Sequence, residues 1–375
     1  MDLQSSVQSL LDELVTSGGE LGLQAAAYLD GTLVLDASAG VIAKGSSTAV
    51  SSETLFLSWS TTKGFTATCL HLLADRGQID YDKPISYYWP EFGVHGKQHA
   101  TVNHALTHRS GVPQMPAGVD LAMLCNWEAM SQAIADLKPL WEPGTRVAYH
   151  AWTFGWIIGE LVRRVDGRPI EQFVQAELCQ PLGIDGFYLG VPAELAAPIA
   201  TLSLEPVANP APVSAYSESV MPAKITNVEV ANLPAFQRAV SPGSNGVMNA
   251  RSIARHYAML ANGGTLDGVR LLSPERIGLI NALQTNDYDE TLGSSPRKGL
   301  GYMLGGPFEQ GGNLTIGPSE RAFGHSGLGG SIGFADPDRR LSVGITTNYM
   351  RTWSDPKEVT AYKIAEKIRR FVDRL

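Results

Sequence analysis

The strand signals of this chain fall at its two ends and leave a long helical middle, an order that few folds accommodate. Near the start, apolar runs at 24–29 and 33–37 flank Asp30-Gly31, a hairpin signal. Far downstream, 329–335 and 341–347 flank Asp336-Pro337-Asp338-Arg339-Arg340, which reads as a second hairpin. Leu3, Val7, Leu10, Leu11 and Leu14 recur at helical spacing ahead of Gly18-Gly19, and Val359, Tyr362, Ile364, Ile368 and Val372 set the apolar stripe of a closing helix over 357–375. Helical periods between the ends cover 60–76, 102–108, 126–137, 153–165, 170–178 and 250–260. The order predicts an α+β fold in which a central antiparallel sheet is built from both termini, flanked by helices, with a mainly helical lobe inserted. The expected boundaries are an α/β lobe at about 1–82 and 241–375 and a helical lobe at about 83–240, all within one domain. The segment 204–234, rich in Pro, Ala and Ser, lacks clean periodicity and is a candidate loop over the active site.

A chain of 375 residues buries a substantial core. A net charge of −8 and a pI near 5.5, with no Lys/Arg cluster standing out, argue against nucleic acid or an anionic membrane as partner and favour a small molecule. The stretch Met1–Val7 lacks the basic and apolar regions of a secretory signal, and no apolar run is long enough to span a membrane. Cys69, Cys125 and Cys179 are odd in number and widely spaced, giving neither a disulfide framework nor a zinc set. The expectation is a cytoplasmic protein with no cofactor and no metal. The oligomeric state stays open.

Ser60-Thr61-Thr62-Lys63 opens the apolar helix at 60–76. Residues i and i+3 share a helix face, so the Ser60 hydroxyl and the Lys63 amine can pair as nucleophile and base. The positive end of the helix dipole favours an anionic oxygen there and disfavours a protonated lysine. Two further Ser-x-x-Lys tetrads, Ser295-Pro296-Arg297-Lys298 and Ser354-Asp355-Pro356-Lys357, contain proline and lie in loops or first turns. On spacing alone such a tetrad is a solvated surface pair. Only Ser60 is followed by a long apolar helix.

Two more motifs supply matching chemistry. Glu142-Pro143-Gly144-Thr145 is a turn that delivers Tyr149 just before the helix at 153–165, where a tyrosine acts as general acid or base if a neighbouring ammonium lowers its pKa. Gly324-His325-Ser326-Gly327-Leu328-Gly329-Gly330 allows close backbone approach and can free an amide for an oxyanion.

The order Ser60-x-x-Lys63, Tyr149, His325-Ser326-Gly327 resembles the serine β-lactamase and penicillin-binding-protein superfamily, whose signatures are S-x-x-K, Y-x-N and K-T-G. Leu106-Thr107-His108-Arg109-Ser110-Gly111-Val112-Pro113 and Gly329-Gly330-Ser331-Ile332-Gly333-Phe334-Ala335-Asp336-Pro337 look like the same family, so the resemblance spans about 25–375. Ala151 replaces the asparagine and His325 the lysine, which removes an amide clamp and a fixed cation used in lactam recognition. Tyr149-His150-Ala151-Trp152 is instead similar to family VIII carboxylesterases and related acyltransferases. The resemblance implies a β-lactamase-like fold and ester hydrolysis through an acyl-enzyme on Ser60. Lys63 and Tyr149 would form the proton relay, and the amides of Ser60 and Leu328 the oxyanion hole. His150, Trp152, His325, Ser326 and Gly327 would contact substrate. The alternatives are acyl transfer to an alcohol, amide hydrolysis of the β-lactamase or D-alanyl peptidase kind, and a silent binding protein on this scaffold.

Rival readings of the residues carry less. Gly329-Gly330-Ser331-Ile332-Gly333 fits G-x-S-x-G but runs into a hairpin, not the helix a nucleophile elbow needs. His95/His99 and His104/His108 lie at i, i+4 without the glutamate of H-E-x-x-H.

Overall fold

The computed structural model describes residues 2–205, 214–352 and 355–375. Its main elements are α1 (Leu3–Thr16), β1 (Gly22–Leu29), β2 (Thr32–Gly40), α2 (Thr62–Asp75), α3 (Trp127–Ala135), α4 (Thr153–Asp166) and α5 (Ala250–Ala261). They are followed by β3 (Met303–Leu304), β4 (Phe323–Ser326), β5 (Ile332–Asp336), β6 (Leu341–Thr347) and α6 (Thr360–Val372). Shorter helices and strands fill the intervals.

The two terminal hairpins meet edge to edge. The sheet order is β2-β1-β6-β5-β4-β3, antiparallel throughout, with Ala25 opposite Ile345 and Gly333 opposite Gly344. The protein therefore has a β-lactamase-like α+β architecture with a central antiparallel sheet. Successive side chains of a strand point to opposite faces, so β1 is buried twice over. Ala25 and Ala27 pack with Leu3, Val7 and Leu11 of α1 and Ile364 and Ile368 of α6. Ala26 and Tyr28 face the core that contains Ile253, Ala254 and Tyr257 of α5. Glycine lets α5 lie close to the sheet: a Cβ at Gly344 would sit 2.3 Å from the Ala250 carbonyl oxygen and 2.7 Å from the Ala254 nitrogen.

α2 is the central helix, and every residue from Thr62 to Ala74 is buried. Its polar side chains are paired internally, as burial requires. Thr68 Oγ1 lies 2.8 Å from His256 Nε2 and 2.6 Å from the Tyr302 hydroxyl. His71 Nε2 donates to the Leu300 carbonyl at 2.9 Å, which leaves Nδ1 to accept from the Tyr81 hydroxyl at 2.6 Å.

Several boundaries differ from the sequence reading. The helix expected at 60 begins as a 3₁₀ turn, Trp59–Thr61, and becomes α-helical at Thr62, because Trp59 takes a left-handed φ of 45° that no α-helix continues through. The stretch at 204–234 is not one loop: it contains short helices at Ser217–Val220 and Val228–Ala231. Residues 206–213 of it, and Ser354 of the third Ser-x-x-Lys tetrad, lie outside the described residues. Among the described residues no helix is long and apolar enough to cross a membrane.

Candidate active site

Ser60 stands at the junction of the 3₁₀ turn and α2, held by a collar of backbone bonds. Thr62 Oγ1 donates to the Trp59 carbonyl at 2.5 Å and accepts from the Gly246 amide at 2.9 Å. The end of β4 presses against this turn: a Cβ at Gly327 would lie 2.2 Å from the Ser58 carbonyl oxygen, so only glycine fits there.

Lys63 Nζ is 3.0 Å from Ser60 Oγ and donates to the carbonyls of Ala151 and Gly243, each at 2.7 Å. The side chain is wholly buried, and that burial pushes the ammonium well below its ordinary pKa. A neutral amine has two N–H bonds and one lone pair. With both hydrogens directed at carbonyls, the lone pair faces Ser60. The amine is thus set as a proton acceptor for the serine hydroxyl.

Tyr149 closes the other side, its ring centroid 5.0 Å from Lys63 Nζ. The condition set by the sequence, an ammonium that lowers the phenol's pKa, is outweighed here by burial. Burial raises the Tyr149 pKa above its ordinary value, with the Ser60 side chain opposing the rise and the Asp289 charge adding to it. With its pKa raised, the phenol stays protonated and is equipped to donate. Its backbone amide donates to Asp289 Oδ1 at 2.9 Å, and Asp289 is paired with Lys298 Nζ at 2.8 Å. Lys298, expected in a solvated surface pair, is fully buried in that ion pair instead.

The amides of Ser60 and Leu328 make no hydrogen bond among the described residues, and both residues border the same cleft. The cleft encloses about 340 Å³ over Ser60, with walls from Trp59, Trp152, Met221, Leu292, Met303 and Leu328. Met221 and Thr226 come from the segment expected to cover the site, and Thr226 Oγ1 accepts from Trp152 Nε1 at 3.1 Å. Among the described residues, none that lines the cleft carries a formal charge. A larger groove of about 810 Å³ lies around Trp127, Glu160 and Arg164, where Glu160 is already committed to Arg163 and Arg164 at 2.6 and 2.7 Å.

Of the expected substrate contacts, Trp152, His325, Ser326 and Gly327 line the cleft and His150 does not. His150 is turned into the helical region behind Tyr149. Its Nδ1 donates to the Ala148 carbonyl at 2.6 Å, so Nε2 accepts from the Ser110 hydroxyl at 2.8 Å. His325 donates from Nδ1 to the Ser326 carbonyl at 2.8 Å, and burial takes its pKa to about 3. It is a neutral imidazole at physiological pH. Ser331 is buried at the start of β5, where its Oγ accepts from the Thr347 amide at 3.3 Å. His104 closes a capping box with Thr101 on the short helix Val102–Leu106. Asp289 and the carbonyls of Ala151 and Gly243 were not singled out in the sequence, since a lone loop carboxylate belongs to no motif and a backbone acceptor carries no residue signature.

This combination of fold and Ser-Lys-Tyr cluster is found in one large group of serine enzymes and binding proteins. The chain belongs to the beta-lactamase family, whose model matches residues 7–367. It is 34% identical to the esterase/beta-lactamase LipL of Mycobacterium tuberculosis over 338 residues, covering 86% of this chain and 76% of that protein. The structure is similar to a family VIII carboxylesterase with a TM-score of 0.89 at 34% identity, covering 97% of both chains. It also resembles a penicillin-binding-protein homologue from Caulobacter crescentus, with a TM-score of 0.88 at 32% identity over 98% of this chain and 97% of that one.

Proposed function

We propose that this protein is a serine carboxylesterase that works through an acyl-enzyme on Ser60. The observation that carries the reading is the orientation of Lys63, whose two carbonyl partners leave its lone pair to Ser60 Oγ 3.0 Å away. As Oγ attacks the ester carbonyl, its proton passes to Lys63 Nζ. The oxyanion lies between the amides of Ser60 and Leu328, one such donor contributing about 2.7–4 kcal/mol in other hydrolases. The protonated Tyr149 phenol gives its proton to the departing alkoxide and is reprotonated from the Lys63 ammonium. Water then enters, and the same groups run in reverse to release the acid and restore Ser60–OH. Ser60 supplies the nucleophile of acylation and water that of deacylation, while Lys63 and Tyr149 carry the protons in both. The unpaired cysteines Cys69, Cys125 and Cys179 suit a reducing, cytoplasmic setting.

The printed name of the Mycobacterium relative joins esterase and beta-lactamase, so lactam hydrolysis is the second reading. Against it, Ala151 offers no side-chain amide, His325 is neutral, and among the described residues no charged side chain lines the cleft to meet a carboxylate. A buried polar group left without its partner costs about 1–3 kcal/mol, so lactam turnover should trail ester turnover by orders of magnitude. The test pairs intact-mass detection of the acyl-enzyme with kcat/KM for nitrophenyl butyrate and nitrocefin. An acyl adduct mapping to Ser60 and a dominant ester rate are expected. An adduct on another serine would remove the mechanism, and a lactam rate at or above the ester rate would return the protein to the lactamases.

A further inference from the structure

Asp289 lies 140 positions from Tyr149 in the chain and directly beneath it in the fold. Oδ1 accepts three backbone amides: Tyr149 at 2.9 Å, Thr291 at 2.9 Å and Leu292 at 3.0 Å. Oδ2 accepts from Lys298 Nζ at 2.8 Å, and both side chains are buried, at 0% and 1% exposure. The segment is knit further by the Glu290 amide donating to the Val147 carbonyl at 2.9 Å and the Asp289 amide to the Ser294 carbonyl at 2.8 Å. Leu292 and Pro296, on the loop between the two ionic partners, line the cleft over Ser60.

A buried carboxylate binding amides from two chain segments acts as a clamp, because a charge-assisted bond is shorter and stronger than the neutral bond it replaces. The lysine is needed for a different reason: an unpaired buried carboxylate takes up a proton and loses acceptor strength. The lysine of the second Ser-x-x-Lys tetrad thus has a task unrelated to nucleophilic catalysis.

We propose that Asp289, with Lys298 as its counter-ion, is the positioning residue of the proton relay: it fixes the Tyr149 phenol opposite Ser60 and sets the Leu292 wall of the cleft in the same act. The proposal rests on the acyl-enzyme reading above, and the test separates the two. Two neutral replacements share the branched four-atom side-chain skeleton: Asp289→Asn with Lys298→Met keeps an acceptor oxygen for the Tyr149 amide, and Asp289→Leu with Lys298→Met has none. Pre-steady-state release of nitrophenol reads acylation, intact mass reads the Ser60 adduct, and thermal melting reads folding.

The Asn/Met protein is expected to acylate within about threefold of the wild type and the Leu/Met protein about 10²-fold slower, at similar KM for a small acetyl ester. Equal rates in the two double variants, whether both fast or both slow, would overturn the clamp. If the Leu/Met protein does not fold, amide hydrogen exchange of the wild-type peptide 147–151 decides: strong protection of the Tyr149 amide is expected, and exchange at the rate of an open loop would overturn the proposal. A wild type that forms no adduct on Ser60 would remove the esterase reading, while the exchange result still judges the clamp.

Discussion

Lys63 is the residue on which the chemistry turns, because its amine is useful only without its third hydrogen. Replacing Lys63 by Ala, or Tyr149 by Phe, should each lower kcat by about 10²–10⁴-fold, the usual range for a lost acid or base. The two losses should be strongly non-additive, since both groups handle the same proton; a double variant showing the full product would separate their roles. A second consequence concerns stability. The buried amine binds no proton above its lowered pKa, whereas the unfolded chain holds one up to about 10.4. Unfolding therefore takes up a proton in that window, and this group makes the native state more stable as pH rises, by about 1.4 kcal/mol per unit. Urea titrations of the wild type and Lys63→Met at pH 7 and pH 9 should show the wild type gaining on the variant, and an unchanged difference would mean that the amine is already charged when buried. Spacing together with the apolar run that follows brought out Ser60 and Lys63, since both signals are local. Asp289 was invisible, because a carboxylate in a loop becomes a clamp only when folding buries it against Tyr149 and Lys298. The direction of the Tyr149 shift stayed conditional for the same reason: burial is a property of the fold, and it decides the direction.

At the scale of elements, two close approaches hold the site, and each depends on a missing Cβ. α5 reaches the sheet over Gly344, where an added methyl would meet backbone atoms of Ala250 and Ala254 that cannot rotate away. Gly344→Ala should therefore destabilise the protein by about 1–3 kcal/mol, as overpacking does, and denaturant midpoints will show it. Gly327 brings the end of β4 against the Ser58 carbonyl beside the nucleophile. Gly327→Ala should push the Leu328 amide out of line and lower kcat by about 10²-fold, the scale of a lost oxyanion donor. Wild-type kcat in a folded Gly327→Ala protein would remove Leu328 from the oxyanion hole. The hairpins were legible because period-two alternation and turn residues are local signals, and their pairing followed from where they stood in the chain. The start of α2 was displaced because the left-handed conformation of Trp59 is imposed by the collar around Ser60, and nothing in a tryptophan announces it. The segment at 204–234 read as a loop because helices one turn long, such as Ser217–Val220, leave too few residues for a period to emerge.

At the scale of the whole molecule, the sheet and the helical middle share α2. Buried from Thr62 to Ala74, α2 contributes Phe65, Leu70 and Leu73 to one continuous apolar core. That core also holds Ala26 and Tyr28 from the sheet side and Trp156, Ile157 and Leu161 from α4. Lys63 on the same helix is held by one carbonyl before α4, at Ala151, and another in the segment leading to α5, at Gly243. Neither part can lose its packing without stripping a face of α2, and each buried large apolar side chain contributes about 1.5–3 kcal/mol. The molecule should therefore unfold in one cooperative transition, with ester hydrolysis lost at the same urea concentration as tryptophan fluorescence and helical circular dichroism change. If activity disappeared well before either spectroscopic signal, the helical part would be opening by itself. The active site would then belong to a hinge between two units, not to the shared core that positions Ser60, Lys63 and Tyr149 here.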